Sequence, residues 1–331
     1  MTTDSKLEKK LLGDLQTDFP LAARPYLQLA KTCGSGEQEV IETISDLLAR
    51  GKIRRISANF DSKALGYVSA LVGAEVAPAH LEAVADYVSR HPGVTHNYER
   101  FHTFNLWFTI AVSSEKKIDE FLEKVKNRSG VKSTLKLPVV EYYKLNVLLD
   151  PETGQNNAKS SSQNFVFKEG NLTSFSETDK ALVRLIQKEI PLESNPFETI
   201  GTRIGLTEAE VLTKIKFWKQ SGVIRKFGAI LNHRKMGARS NAMVVWRVPE
   251  EKSAAAGRRM AEFPQISHCY RRATAPNWPY SHYTMIHAPN PGVLQHLIDE
   301  VSSATGISEF IVLKSGREFK KTGMRYFEEN L

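Results

Sequence analysis

The chain has 331 residues, of which 41% are hydrophobic and 25% charged, a composition ordinary for a globular protein of two or more domains. Its formal charge of +8 favours a polyanionic partner: nucleic acid, an anionic membrane or a small polycarboxylate. Two cysteines cannot build a disulfide framework, a zinc ribbon or an iron–sulfur cluster within one chain. The sequence has neither a signal peptide nor an apolar run of membrane-spanning length. We therefore expect a cytoplasmic protein with no membrane segment.

The first sixty residues combine three short helical segments with one extended run. Leucines recur at helical spacing between Leu7 and Leu15. Prolines separate the helices, Gly51 ends the third, and an extended run follows it to Phe60. This order predicts a winged helix-turn-helix over residues 1–60.

The next segment, residues 61–149, alternates strands and helices. The apolar pattern predicts, in chain order, strand 68–76, helix 81–90, strands 95–100 and 106–112, helix 116–127 and strand 137–148. This order is the ferredoxin-like βαββαβ pattern. Such a module serves as a binding or dimerisation platform, and the fold alone does not assign a function.

The chain then repeats itself. Residues 150–172 are rich in Ser, Asn, Gln and Gly and are predicted to form a linker. Beyond them, Gly222–Lys226 matches Gly51–Arg55 at a constant offset of 171 residues. The repeat predicts a second helix-turn-helix-like domain over 173–232 and a second ferredoxin-like domain over 233–331, with strands near 242–247, 266–272, 283–287 and 308–314. The predicted fold class is therefore α+β, a tandem duplication of a winged helix-turn-helix plus a ferredoxin-like AsnC-type module.

This layout is that of the Lrp/AsnC transcription regulators, which makes DNA binding the first functional hypothesis. A recognition helix must approach phosphates, usually through basic or amide side chains. In the first copy this helix runs from Glu37 to Asp46, and it carries four carboxylates and no basic residue before Arg50. The second copy offers Glu208 and Glu210 ahead of three lysines. DNA binding is therefore not expected, and the helix-turn-helix is interpreted as a structural relic.

Imidazole, phenol and guanidinium groups gather instead on two predicted strands. Because side chains alternate along a strand, each set shares one face. The sets are His96, Tyr98, Arg100 and His102 in the first copy, and His268, Tyr270 and Arg272 in the second. An aromatic, proline-containing insertion over 273–280 follows the second set and is suited to covering a flat ligand. The pattern favours a site for an anionic ligand, since Arg pairs with carboxylates through two parallel hydrogen bonds.

With these motifs the chain resembles the siroheme decarboxylases, AsnC-like proteins whose two subunit types are often separate chains. The resemblance covers nearly everything except the linker, and it makes the chain look like a natural fusion of both subunits. It rests on Leu65-Gly66-Tyr67, His96-Asn97-Tyr98, Arg100, His102, Asn105 and Trp107-Phe108-Thr109 in the first copy, and on His268-Cys269-Tyr270, Arg272, Trp278-Pro279-Tyr280, Thr284-Met285-Ile286-His287 and Arg317-Glu318-Phe319-Lys320-Lys321 in the second. Ser281 and His282 depart from it, standing where an Asn and an apolar residue are expected.

The resemblance implies non-oxidative removal of carbon dioxide from the two acetate side chains of siroheme, giving 12,18-didecarboxysiroheme in haem biosynthesis. The catalytic candidates are the two strand sets, with the proton donor open among His96, His102, His268 and Tyr98. The substrate-binding candidates are Arg54, Arg55, Asn105, Trp107, Arg225, Lys226, Arg271, Trp278, Tyr280, His282, Arg317, Lys320 and Lys321. No metal site or separate cofactor is implied, because siroheme carries its own iron.

Two further expectations concern partners. By analogy with AsnC-like modules, which associate through their sheets, we expect a homodimer of fused chains. The alternative function is an Lrp/AsnC-type DNA-binding transcription regulator, or a sensor that binds a tetrapyrrole without transforming it.

Overall fold

The structure is a computed structural model that describes residues 3–145, 174–232 and 240–328. The helices are α1 (Thr3–Thr17), α2 (Pro25–Cys33), α3 (Glu37–Ala49), α4 (Leu81–Arg90), α5 (Glu115–Lys126), α6 (Glu177–Ile186), α7 (Pro196–Thr202), α8 (Glu208–Gln220), α9 (Ser253–Glu262) and α10 (Pro291–Thr305). The strands are β1 (Ile53–Phe60), β2 (Val68–Val76), β3 (Val94–Arg100), β4 (Leu106–Val112), β5 (Val131–Leu145), β6 (Ile224–Leu231), β7 (Ser240–Trp246), β8 (Ile266–Arg272), β9 (His282–Ala288) and β10 (Phe310–Lys321). None of the described helices is long and apolar enough to cross a membrane.

The two helix-turn-helix units join through their wings. Strands β1 and β6 form a two-stranded antiparallel sheet in which Ile56 lies opposite Ala229. Helices from both copies bury their apolar faces in one shared core, where the rings of Phe19 and Phe227 stack at 5.8 Å between centroids. In the second copy, α6 and α8 each begin with a capping box, which satisfies backbone N–H groups that the first helical turn leaves unpaired.

The two ferredoxin-like modules close into one eight-stranded barrel. The first module contributes the strand order β3-β4-β2-β5 and the second contributes β10-β7-β9-β8. The modules meet at both edges, where β10 pairs with β3 and β5 pairs with β8. The predicted fold class is thus confirmed, and the association of the modules through their sheets occurs within one chain. Among the described residues this barrel leaves no free sheet edge, and the homodimer of fused chains stays a prediction.

Strands β5 and β10 are longer than the sequence predicted. The apolar pattern placed them at 137–148 and 308–314, whereas β5 begins six residues earlier and β10 ends seven residues later. Most of the added residues of β10, Ser315 to Lys321, are polar, and they form a ladder with β3 of the other module. Periodicity within one module cannot reveal such pairing. The predicted end of the first of these strands, 146–148, and the predicted linker, 150–172, lie outside the described residues.

The centre of the barrel is filled with aromatic and aliphatic side chains. Trp278 reaches in from the loop between β8 and β9, and its ring lies 5.3 Å from that of Trp107 and 5.1 Å from that of Tyr280. On the outer faces of the sheets, separate apolar cores pack against α4 and α5 and against α9 and α10. Because aromatic and aliphatic side chains fill the centre of the barrel, polar groups that a ligand can reach have to lie beside this packed centre and not within it.

A C-terminal segment connects the barrel to the helix-turn-helix layer. After β10 the chain crosses to α6, where Tyr326 is 5% exposed in the shared core. The Tyr326 hydroxyl is 2.7 Å from Ser62 Oγ, and the backbone of Tyr326 forms two hydrogen bonds with the Gln187 side chain. This segment fixes the wing sheet in position relative to the barrel.

Candidate active site

Three of the four polar side chains predicted for the first set lie on the inner face of β3; the prediction was wrong for His102, because β3 ends at Arg100 and His102 lies in the loop that follows. Asn97 points the other way and donates to Ala85 O on α4, which leaves His96, Tyr98 and Arg100 on the opposite face. The ladder to β4 is irregular just before His96. Such irregularities are common beside functional sites because they redirect a side chain.

Arg100 is buried without a carboxylate. Its guanidinium lies 5.3 Å from the centre of the Tyr98 ring, and its Nη1 donates to Leu313 O at 3.2 Å and to Ser315 Oγ. Its Nε has no partner among the described residues, and burial lowers the Arg100 pKa to about 10. With Nη1 engaged, Nε and Nη2 are the two donors left for parallel hydrogen bonds to a carboxylate.

Arg272 repeats this arrangement in the second module. Its Nη1 donates to Leu137 O at 2.9 Å, its guanidinium lies 5.0 Å from the Tyr270 ring, and its Nε has no partner among the described residues. Burial lowers its pKa. In each case the carbonyl belongs to the last strand of the other module, so each arginine is held by both halves of the chain.

The two sets are on opposite sides of the barrel. Strands β3 and β8 are four positions apart in either direction around the ring, and the packed interior separates them. We call the first set site I; it comprises His96, Tyr98, Arg100 and His102 with Glu318 and Lys321 of β10 and Arg54 of the wing. We call the second set site II; it comprises His268, Tyr270 and Arg272 with Tyr142 and Leu145 of β5 and Arg225 of the wing.

The charged groups of site I act on one another. Burial, together with the positive charges of Lys321 and Arg54, lowers the pKa of His96 to about 4. Burial and the Glu318 carboxylate raise the pKa of Tyr98 to about 12. At neutral pH the empty site therefore contains a neutral imidazole and a protonated phenol.

The tautomer of His102 is set by its surroundings. His102 Nδ1 accepts a hydrogen bond from the backbone N–H of Phe104 at 3.1 Å, which puts the proton of the neutral ring on Nε2. The ring also packs edge-on against Trp278 at 5.4 Å, and burial lowers its pKa. His102 can thus donate a hydrogen bond to a ligand, while a loop of the second module supports it.

Site II differs from site I at three matched positions. In site I the residue opposite Tyr98 is Glu318, whereas in site II the residue opposite Tyr270 is Tyr142. Likewise, the residue opposite His96 is Lys321, whereas the residue opposite His268 is Leu145. The Tyr142 ring fills the space between the Tyr270 ring, at 5.5 Å, and the Arg225 guanidinium, at 5.4 Å.

The third difference concerns the wing arginines. Arg225 Nε donates to the buried Asp61 carboxylate at 2.9 Å. The residue that matches Asp61 in the second copy is Asn232, at the offset of 171, so Arg54 has no corresponding carboxylate. The carboxylate that pairs with Arg225 beside site II therefore has no counterpart at the matched position beside Arg54.

Several substrate-binding candidates point away from both sites. Arg271 pairs with Glu250 at 2.8 Å on the outer face of β8. His282 is fully buried on the outer face of β9, where Nε2 lies 3.0 Å from Ser253 O and burial lowers its pKa to about 4. Asn105 bonds both the N–H and the carbonyl of Val76.

Other cationic candidates are engaged elsewhere in this structure. Lys320 Nζ donates to Ser89 O at 2.6 Å and His91 O at 3.0 Å, which caps the C-terminal end of α4. Arg317 is exposed and pairs with Glu99 at 3.0 Å. Arg55 and Lys226 are largely buried on the wings, where burial lowers both pKa values, that of Lys226 to about 8.

Sequence reasoning missed Glu318, Tyr142 and Asp61 as site residues. Glu318 and Tyr142 come from the other module than the tyrosine they face, and only the closed barrel brings them together. Asp61 could have been noticed, because the copies differ there by a carboxylate against an amide at Asn232.

The fold defines a tandem AsnC-like ligand-binding protein in which one arginine on each side of the barrel donates to a backbone carbonyl of the other module. A family model described as the AsnC-like ligand binding domain matches residues 64–144 and 235–320, and one described as the siroheme decarboxylase NirDL-like HTH domain matches 8–54 and 179–225.

Full-length relatives give the family. The chain is 37% identical over 321 residues to the siroheme decarboxylase of Hydrogenobacter thermophilus, covering 97% of this chain and 95% of the relative. It is 33% identical to the crystal structure of the siroheme decarboxylase NirDL in co-complex with an iron-uroporphyrin III analogue, with a TM-score of 0.76 over 98% of this chain and 95% of that one. The chain belongs to the siroheme decarboxylase family.

Relatives with separate subunits match halves of the chain. The beta and alpha subunits from Desulfovibrio desulfuricans are each 40% identical, over 154 residues (46% of this chain, 97% of the relative) and 141 residues (43% and 81%). Two subunit types are thus found as separate chains in a relative, in agreement with the interpretation of this chain as a fusion.

Proposed function

We propose that the chain decarboxylates siroheme, removing carbon dioxide from its two acetate side chains and leaving methyl groups. The observation that carries this proposal is the buried Arg100 of site I, which has no carboxylate partner among the described residues and whose buried Nε has no hydrogen-bond partner there. A polycarboxylate tetrapyrrole supplies the missing anion. Membership of the siroheme decarboxylase family supports the assignment, as does the co-complex of a related structure with an iron-uroporphyrin analogue.

The chemistry requires an electron sink and a proton. Cleavage of the C–C bond leaves an electron pair on the methylene carbon, which the conjugated macrocycle of the substrate stabilises. Arg100 would hold the scissile carboxylate out of water until the bond breaks. A positioned acid then delivers one proton to the carbon for each carbon dioxide released. The iron belongs to the substrate, and the proposed reaction needs no separate cofactor.

Site I is the proposed working site. The charges of Arg54, Arg100, Lys321 and Glu318 act on its His96 and Tyr98, whereas at site II the Tyr142 ring packs against the Tyr270 ring. His102 would donate from Nε2 to the substrate, and Trp107, Trp278 and Tyr280 would support the pocket from inside the barrel. The remaining roles predicted from the sequence, the homodimer and the cytoplasmic location, stay predictions.

The experiment is anaerobic incubation with siroheme followed by mass spectrometry of the extracted tetrapyrrole. We expect loss of two carboxyl groups with the wild-type chain, almost none with R100M, and retention of most turnover with R272M because it alters site II. Wild-type protein that binds siroheme and returns it unchanged would contradict the proposed function and favour the tetrapyrrole sensor. Loss of turnover in R272M alone would transfer the reaction to site II.

A further inference from the structure

Glu318 is placed to control the hydroxyl of Tyr98. The two residues are direct opposites in the β3–β10 ladder, and burial together with the negative charge of the Glu318 carboxylate raises the pKa of the Tyr98 hydroxyl. Tyr98 is partly buried inside site I, whereas Glu318 is exposed at its rim, so the pair connects the pocket with water. The charged groups facing this pair are His96 and Arg100 on β3, Lys321 on β10 and Arg54 on β1.

The reaction makes such a connection necessary. Two acetates leave one siroheme molecule, so two protons must reach carbon while a large flat substrate covers the site. His96 is neutral at neutral pH in the empty protein and has no spare proton of suitable acidity, whereas the Tyr98 hydroxyl is protonated. A phenol that has given its proton to carbon must recover it before the second decarboxylation.

We propose that Tyr98 is the proton donor and that Glu318 is its positioning residue, holding the hydroxyl and returning a proton to it between the two decarboxylations. This inference rests on the proposed function. The C–C bond breaks to give carbon dioxide and a carbanion, the Tyr98 O–H bond breaks as the new C–H bond forms, and the phenolate remains. Glu318 takes a proton from water and passes it to the phenolate, which restores both groups; each cycle consumes one solvent proton.

The charge distribution suits each intermediate. The phenolate would form beside Arg54 and Arg100, whose positive charges act on Tyr98. A phenolate next to a carboxylate is electrostatically unfavourable, and this repulsion favours the return of a proton to the phenolate.

Site II provides an internal comparison. The residue opposite Tyr270 is Tyr142, whose side chain is a phenol and carries no carboxylate. The tyrosine and arginine are therefore repeated in both sites, but the tyrosine–carboxylate pair occurs at site I alone among the described residues. This difference agrees with the assignment of the reaction to site I.

The test compares E318Q and E318D with wild type on siroheme under anaerobic conditions. Loss of a positioned acid lowers rates by about 10² to 10⁴, so we expect E318Q to lower kcat by about 10²-fold with KM changed by less than about threefold. E318D should recover part of kcat. E309Q is the matched control, because Glu309 precedes the same strand and forms an exposed pair with Arg247.

Two further readouts separate proton delivery from structural support. E318Q should move the pH dependence of kcat and enlarge the solvent deuterium isotope effect, since proton return becomes slower. Combining E318Q with Y98F should cost no more than Y98F alone, because both changes interrupt one step. Full kcat in E318Q, additive losses, or a loss confined to KM would each overturn the inference while wild-type turnover still supported the proposed function. A wild-type chain without turnover would instead contradict the proposed function itself.

Discussion

Replacing Arg100 by methionine should abolish turnover without weakening the fold. The lowering of the Arg100 pKa from 12.5 to about 10 corresponds to about 3 kcal/mol against the charged form in the empty protein. R100M removes that cost and loses two hydrogen bonds, to Leu313 O and Ser315 Oγ, worth about 1 kcal/mol each. The free energy of unfolding of the empty protein should therefore stay equal to that of wild type or rise by about 1 kcal/mol.

The effect on activity has the opposite sign. Two charge-assisted hydrogen bonds to a carboxylate contribute about 1.5–3 kcal/mol each, so R100M should lower kcat/KM for siroheme by at least about 10²-fold. R100K keeps the positive charge but not the planar guanidinium group, so its kcat/KM should lie between those of wild type and R100M. Urea unfolding and anaerobic turnover are the two assays, with R247M as a control because its arginine forms an exposed pair with Glu309. An R100M protein that is destabilised by 2 kcal/mol or more and decarboxylates normally would refute the reasoning.

Three other predictions concern the core, the C-terminal segment and site II. Burial of the neutral His282 ring lowers its pKa to about 4. Its contribution to stability is therefore present above pH 6.5 and is lost as the pH falls towards 4. Between pH 6.5 and 5 the free energy of unfolding, measured with urea, should fall by about 2 kcal/mol less in H282Q than in wild type. Tyr326 fills the shared core, so Y326A should cost about 3–5 kcal/mol and Y326F, which loses the Ser62 hydrogen bond, about 1 kcal/mol in the same assay. Absorbance titration should show that one iron-uroporphyrin binds per wild-type chain. In D61N/Y142E a second equivalent should bind weakly, because the double variant frees Arg225 and opens site II. Two bound equivalents in wild type would contradict the closure of site II.

Sequence patterns predicted the elements well where local physics determines them. The limits of β1, β2, α4, β4 and β8 agree with the predicted ones, because each combines a clear apolar period with a glycine or a polar break. The shared face of His96, Tyr98 and Arg100 was likewise predictable from alternation along one strand.

The composite nature of each site was not predictable in the same way. The long polar extension of β10 has no apolar alternation, and it becomes a strand because β3 of the other module supplies hydrogen-bond partners. Glu318 was therefore not among the predicted site residues. His282 shows the reverse error: it sits in a motif near candidate residues, but the face of β9 on which it lies is turned towards α9. Chain proximity and sheet face are different properties.

The structure also changes the interpretation of the helix-turn-helix as a relic. The acidic side chains of α3 still argue against DNA binding. The wing strand that follows α3 nevertheless carries Arg54, whose charge acts on both His96 and Tyr98. The wing can serve the site only if it is held at a fixed height over the barrel, and both the β1–β6 pairing and the buried Tyr326 do this. Under the proposed function, the domain that would read nucleic acid in a regulator supplies a cation beside site I. The divergence of the copies at Asp61 and Asn232 agrees with this proposal, because Asp61 pairs with Arg225 beside site II and the matched position beside Arg54 is an amide.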